Sequence, residues 1–152
     1  MDNFETAPKR NKMFIGEYTI SMDDKGRVAI PVKFRLSLGN TAVITRGLDN
    51  SLFLYPKEEW EKIAVKLASL PISKANSRAF SRLMLAGAYE CDIDKQGRMM
   101  VPDYLRKFAA LSKKVIAAGL YDRIEIWNEK NWQDYKIATE RDSGNIAEEI
   151  GL

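Results

Sequence analysis

The chain has 152 residues, 24 basic and 21 acidic, for a formal charge of +3. With 45% apolar and 30% charged residues it has the make-up of a soluble globular protein, and no apolar run approaches the roughly 20 residues of a bilayer span. The absence of histidine removes the commonest general base and metal ligand, and the lone Cys91 leaves no internal disulfide, which fits a reduced, cytoplasmic setting.

Residues 1–12 are polar, lack an apolar signal core and read as a disordered arm. Tyr18, Ile20 and Met22 alternate with Thr19 and Ser21, the period of a half-buried strand. Asp23 to Gly26 then reads as a turn, because Asp bonds the backbone two residues on and Gly takes positive φ at low cost. Val28 and Ile30 resume the inward face of a second strand, which puts Arg27 on the other face. Pro31 suits a helix start and predicts a short helix over 32–38 ending at Gly39. Strands follow at 43–46 and 52–55. Trp60, Ile63, Ala64 and Leu67 are spaced as one face of a helix over 57–70, stopped by Pro71. A second helix is predicted over 74–86, with Ala79, Phe80, Leu83 and Met84 on one face.

The order then repeats: strand 88–93, turn 94–97, strand 98–101, helix 102–109, strands 114–118 and 123–127, helix 129–139. Asp23-Asp24-Lys25-Gly26-Arg27 returns 71 positions later as Asp94-Lys95-Gln96-Gly97-Arg98, each followed by a short apolar strand and a proline. With one inserted residue the offset becomes 72, so that Gly47-Leu48 meets Gly119-Leu120 and Trp60 meets Trp132. Two units are too few for a solenoid. The expected fold is α+β, mainly β: two β-β-α-β-β-α halves forming a small mixed β-barrel with flanking helices. In that barrel Tyr18, Ile20, Val28 and Ile30 pack on Tyr89, Cys91, Met99 and Val101. The chain divides into the arm 1–12, repeat 13–70, a connecting helix 71–86, repeat 87–139 and a frayed acidic tail 140–152. One of the 24 basic and four of the 21 acidic residues lie in that tail, so the rest of the chain carries +6, which favours polyanions.

The doubled Arg27 and Arg98 are the leading candidates for chemistry. A guanidinium beside a tight turn can fork onto O6 and N7 of guanine in the major groove, which a two-stranded ribbon can enter. The alternative is a cross-strand ion pair. It is stronger for Arg98, whose neighbouring strand carries Glu90 and Asp92 where the first copy has Thr19 and Ser21. Arg27 is therefore expected to be the freer of the two. Asp23, Gly26, Asp94 and Gly97 are expected to lock the turns. Lys25 is placed to meet phosphate, with Gln96 as its counterpart. Arg35 and Arg106, four residues after the prolines, either contact phosphates or tie helix to sheet. Arg78 and Arg82, one helical turn apart, offer a phosphate or subunit contact or simply a solvated face. Trp60, Trp127, Trp132 and Cys91 read as core. No zinc-spaced cluster, phosphate loop or nucleophile elbow is present, so no catalytic role, cofactor, metal or small-molecule substrate is expected.

The two Asp-x-x-x-Arg boxes, Asp23–Arg27 and Asp94–Arg98, each running into Gly-Arg-φ-x-φ-Pro, together with Arg78, Arg82 and Gly87-Ala88, resemble the MraZ family of bacterial transcriptional regulators. The resemblance covers about residues 13–139. It implies two halves of the AbrB-like swapped-hairpin type and ring-shaped homo-oligomers. It also implies binding of double-stranded DNA, with association to the nucleoid, at repeated G-containing boxes upstream of the division and cell-wall gene cluster. Arg27 and Arg98 are the DNA contacts it implies. The arm and the tail extend past the family core. AbrB-like folds also serve as antitoxin-like protein-binding modules, and the tail is the feature that such a role would use.

Overall fold

A computed structural model describes residues 13–152, so the arm 1–12 lies outside the described residues. The first half contains β1 (Phe14–Ser21), β2 (Arg27–Ala29), α1 (Val32–Leu38), β3 (Thr41–Arg46), β4 (Leu52–Pro56) and α2 (Lys57–Ala68). Helix α3 (Ala75–Ser81) and a π-helical turn over Arg82–Ala86 lead into the second half. That half contains β5 (Tyr89–Asp92), β6 (Arg98–Met100), α4 (Asp103–Phe108), β7 (Lys114–Tyr121), β8 (Ile124–Asn128) and α5 (Glu129–Arg141). Helix α6 (Ser143–Glu149) ends the chain.

The fold is mixed α+β with strands dominating. The described strands form two sheets, with no closed barrel among them. The larger sheet has six antiparallel strands in the order β1-β7-β8-β4-β3-β5, and the smaller is a two-stranded ribbon of β2 and β6. The six-strand order is a palindrome of the two halves. Each half contributes one hairpin (β3–β4 or β7–β8) and lends its first strand to the hairpin of the other half. The alternation of apolar residues fixes which face each strand buries but not its partner, so the β1–β2 hairpin that the sequence suggests runs no further than the turn and one bridge, Met22 to Val28. Beyond it, β2 leaves β1 and pairs with β6.

The ribbon and the sheet enclose one core. Val28, Ile30, Met99 and Val101 come from the ribbon and its ends, Ile20 and Cys91 from the edge strands, and Ile44, Leu54, Ala117 and Ile126 from the hairpins. Phe34 on α1 closes one flank edge-on to Phe14 and Tyr18, with ring centroids 5.5 and 5.1 Å away. Tyr89 departs from the expected core. It sits at the outer end of edge strand β5 and is 38% exposed. Cys91 is buried as expected, and burial pushes its thiol up to about 12.

The strand register also corrects the internal alignment. Ser21 pairs with Lys114 and Asp92 with Thr41, which sets β7 73 positions after β3. Phe53 pairs with Glu125, and that pair is its own counterpart at an offset of 72. Two extra residues thus precede β7 and one fewer lies in its hairpin loop, so Gly47 is not the counterpart of Gly119.

Two further segments differ from expectation. The helix predicted over 74–86 widens into its π turn where β3 draws on its carbonyls. Thr45 Oγ1 donates to the Met84 carbonyl at 2.7 Å and Arg46 Nη1 to that of Leu83 at 3.2 Å. Ala79 is exposed rather than packed. The tail 140–152 is helical instead of frayed. Residues through Arg141 complete α5, and Asn145 Nδ2 donates to Asp142 Oδ1 at 2.9 Å beside the start of α6. No α6 residue is buried. Among the described residues no helix is long and apolar enough to cross a membrane.

Candidate nucleic-acid interface

The ribbon pairs Arg27 with Met100, Val28 with Met99 and Ala29 with Arg98. Val28 and Met99 are counterparts at the 71-residue offset, so the pseudo-twofold axis of the chain passes between them. Both are buried, at 0% and 1% exposure. Because strand side chains alternate, Arg27, Ala29, Arg98 and Met100 share the outer face. The two arginines are diagonal neighbours there, roughly 7–8 Å apart and somewhat less at Cβ. Backbone bonds extend the ribbon past its named strands, Ile30 N–H to Gly97 O at 2.8 Å and Val101 N–H to Gly26 O at 2.9 Å.

Each turn is built around its aspartate. Asp23 Oδ1 accepts from the N–H groups of Lys25 and Arg27, both at 2.9 Å, and Asp94 Oδ1 accepts from Gln96 and Arg98 at the same 2.9 Å. The second oxygen takes the arginine Nε, at 2.7 Å in the first turn and 3.1 Å in the second. The backbone N–H of the arginine is the main reason each carboxyl titrates below the ordinary range, and the Nε bond adds to it. Gly26 and Gly97 have φ of 83° and 78°, as the turn requires.

This arrangement revises the expected contrast between the arginines. Arg27 is not the freer one, since each is held by the aspartate of its own turn. Arg98 does not pair with Glu90 or Asp92, because its strand leaves β5 to join β2. Glu90 is paired with Lys57 at 3.5 Å, and Asp92 accepts from Thr41 Oγ1 at 3.3 Å. The Nε bond fixes the arginine stem and leaves the two terminal amino groups, the fork that reads guanine, outside that contact. The side chains are 30% and 36% exposed.

Arg35 and Arg106 take the tying position. A Cβ on Gly97 would overlap the Arg35 guanidinium, and a Cβ on Gly26 would overlap that of Arg106, so each half braces the turn of the other. Arg35 Nε donates to the Ile30 carbonyl at 2.8 Å. Arg106 instead leans toward Asp103, with Nη2 to Oδ1 at 3.6 Å, and its buried Nε has no partner. Asp103 stands where the first half has Val32, which accounts for the difference. Lys25 is exposed at the first turn. Arg78 lies apart from the ribbon and bonds the Ile72 carbonyl at 2.9 Å, and Arg82 is exposed on the same helical segment. Arg46 was not singled out in the sequence. Its guanidinium lies 5.7 Å from the Tyr104 ring centroid and helps fasten the π turn to α4. Its pattern in sequence is that of any strand-end cation.

The family model described as "MraZ protein, putative antitoxin-like" matches the chain twice, over residues 13–83 and 84–150. The second match takes in the tail as far as residue 150. Among curated proteins, the "Transcriptional regulator MraZ" of Natranaerobius thermophilus is 50% identical over 138 residues, covering 91% of this chain and 96% of that protein. That of Halothermothrix orenii is 49% identical over 143 residues, 92% and 100% of the two chains. That of Oenococcus oeni is 47% identical over 138 residues, 91% and 96%.

Proposed function

Because this chain belongs to the MraZ family, we propose that it is a transcriptional regulator, a non-enzymatic role, acting by sequence-specific binding of double-stranded DNA. The observation that carries the reading is the ribbon, with Arg27 and Arg98 side by side on its one exposed face. Gly26 to Ile30 spans roughly 14 Å at strand rise, and the major groove is about 12 Å wide, so the two strands enter as a unit. Arg27 and Arg98 reach guanine edges within a few base pairs of each other. Exposed ion pairs are weak, whereas a forked arginine–guanine contact is worth about 1–3 kcal/mol. The aspartates therefore aim the arginines without holding them back from a base. Lys25 meets phosphate, while Arg35 and Arg106 keep the turns in shape for it.

The targets are repeated G-containing boxes upstream of the division and cell-wall gene cluster, read by a ring-shaped homo-oligomer. Several ribbons on linked sites raise the effective concentration of each weak contact. Arg78 and Arg82, away from the ribbon, serve that assembly. The protein then resides in the cytoplasm on the nucleoid. The test is footprinting of the full chain on the DNA upstream of its own reading frame, at stated salt, with Arg27→Ala and Arg98→Ala alongside. Protected, regularly spaced G-containing boxes that vanish in the double variant are the expected result. Equal affinity of wild type and double variant would overturn it.

A second reading, capture of a protein partner as an antitoxin does, is favoured by the family description and by Ile146 on α6 and Ile150 just past its end, 40% and 69% exposed. Pull-down with and without residues 140–152 separates the two: a stoichiometric partner lost on deletion supports the second.

A further inference from the structure

The two turns are alike in backbone and unlike in surroundings. Beside the first turn runs the start of β7. Met22 N–H donates to the Lys113 carbonyl at 2.9 Å, and Ser21 pairs with Lys114. Beside the second turn runs the start of β3. Ile93 N–H donates to the Asn40 carbonyl at 2.9 Å, and Asp92 pairs with Thr41. The counterparts are therefore Lys113 and Asn40, Lys114 and Thr41, Ser21 and Asp92. These three positions carry +2 at the first turn and −1 at the second. The turns' own residues narrow the difference, since 23–27 sum to zero and 94–98 to +1, and the helices that brace the turns narrow it further without reversing it. Helix α4 brings Asp103 and Lys107 to the first, already paired at 3.0 Å, and α1 brings Lys33 to the second, while Arg106 and Arg35 match. Lys113 and Lys114 are both exposed. Register places them on opposite faces of β7: Lys113 on the side of Val115, which lines the core under the ribbon, and Lys114 on that of Ile116. Lysine is suited to the role as a compact, flexible point charge that meets phosphate without demanding one geometry.

We propose that Lys113, on the ribbon side of the strand, meets a DNA backbone phosphate beside the first turn, with Lys114 adding charge from the other face, so that the Arg27 end of the ribbon anchors the duplex and the Arg98 end is held less tightly. The site is supplied by the second half and serves the turn of the first. It rests on the DNA-binding reading above. It gives a nearly symmetric ribbon a preferred orientation on its target, because the second end has Lys95 in its turn but no lysine on the neighbouring strand start.

The experiment is a salt titration of duplex binding by the full-length protein, followed by fluorescence anisotropy on two probes, its own upstream DNA and a random duplex of equal length. The variants are Lys113→Gln with Lys114→Gln, the converse Asn40→Lys with Thr41→Lys, and a control, Lys62→Gln with Lys66→Gln on α2. Each phosphate contact contributes about 0.9 to the slope of log affinity against log salt. The first variant is expected to lower that slope by about 1–2 on both probes while the control leaves it unchanged. The converse variant is expected to raise it. A slope equal to wild type in the first variant, or an equal drop in the control, would overturn the proposal while leaving DNA binding by the ribbon in place. No binding by the wild-type protein to either probe would overturn both.

Discussion

The ribbon and the outer layers of the molecule follow the internal symmetry to different degrees. At the turns the two copies agree closely: the corresponding aspartate accepts from the same three donor positions, the same glycine turns the chain, and each turn is braced by an arginine from the other half, though the two arginines bond differently. Outside it the copies diverge. The sheet face of the first half is covered by α2 together with α3 and its π turn, where Phe53, Tyr55, Leu67 and Met84 form a second cluster. The matching face of the second half is covered by α5 alone, over Ile116, Ala118 and Trp127. Its helix is tied instead to β1, with Trp132 Nε1 donating to Glu17 Oε2 at 3.0 Å and Lys136 paired to the same carboxylate at 3.2 Å. Glu17 has Ala88 as its counterpart, so this tie exists once. Equivalence is closest at the turns and relaxed where packing has only to exclude water.

Breaking the core tests the comparison most strongly. Phe34 and Leu105 are counterparts, both buried. Phe34→Ala should cost about 3–5 kcal/mol and Leu105→Ala about 2–5 by urea unfolding. The phenylalanine should be the worse loss, because Phe14 and Tyr18 both lose a ring partner. Equal costs would mean that the two flanks are packed alike after all.

Next come the turn glycines. Gly26→Ala and Gly97→Ala each force a side chain into positive φ and displace a bracing arginine, at about 1–3 kcal/mol. Here equal losses are expected, and tolerance of one substitution alone would break the equivalence of the turns. For DNA, Arg27→Ala should weaken specific binding by about 1–3 kcal/mol with the fold intact by circular dichroism. Arg98→Ala should do the same to a smaller extent, since no lysine pair flanks its turn. A larger effect at Arg98 would reverse the ranking.

A finer test uses pH. Asp23 and Asp94 titrate below the ordinary carboxylate value near 3.9. Their contribution is present in full above that value and is lost as pH falls through the lowered folded values. Asp23→Asn with Asp94→Asn should therefore flatten the acid limb of a stability–pH curve and leave its slope near pH 7 unchanged. The smallest expected effect is Glu17→Gln, about 0.2–1 kcal/mol at this half-exposed site, read as a lower Tm.

Much of this was written locally and could be read there. Asp-x-x-Gly-Arg fixes its own turn through bonds within five residues, so the turns and the outward arginines were legible. The helix over Lys57–Ala68 was legible because Trp60, Ile63 and Leu67 share a face. The pairing of β2 with β6 was not, since alternation is satisfied by any neighbour on the same side. Nor was the π turn, which depends on Thr45 and Arg46 some 40 residues earlier. Helix α6 escaped because its short polar sequence buries nothing and shows no apolar stripe. Lys113 and Lys114 looked like an ordinary strand approach until the register set them beside a turn some 90 residues upstream.

The exchanged first strands have a mechanical consequence. A protease cut in the exposed stretch at Pro71–Ser73 would sever the only peptide link before α3 without releasing either piece, because β1 would still be clasped by the β7–β8 hairpin and β5 by the β3–β4 hairpin. The cleaved fragments would migrate as one particle until denatured. Either fragment made alone would carry an orphaned strand and a vacant seat, complementary to a twin of itself.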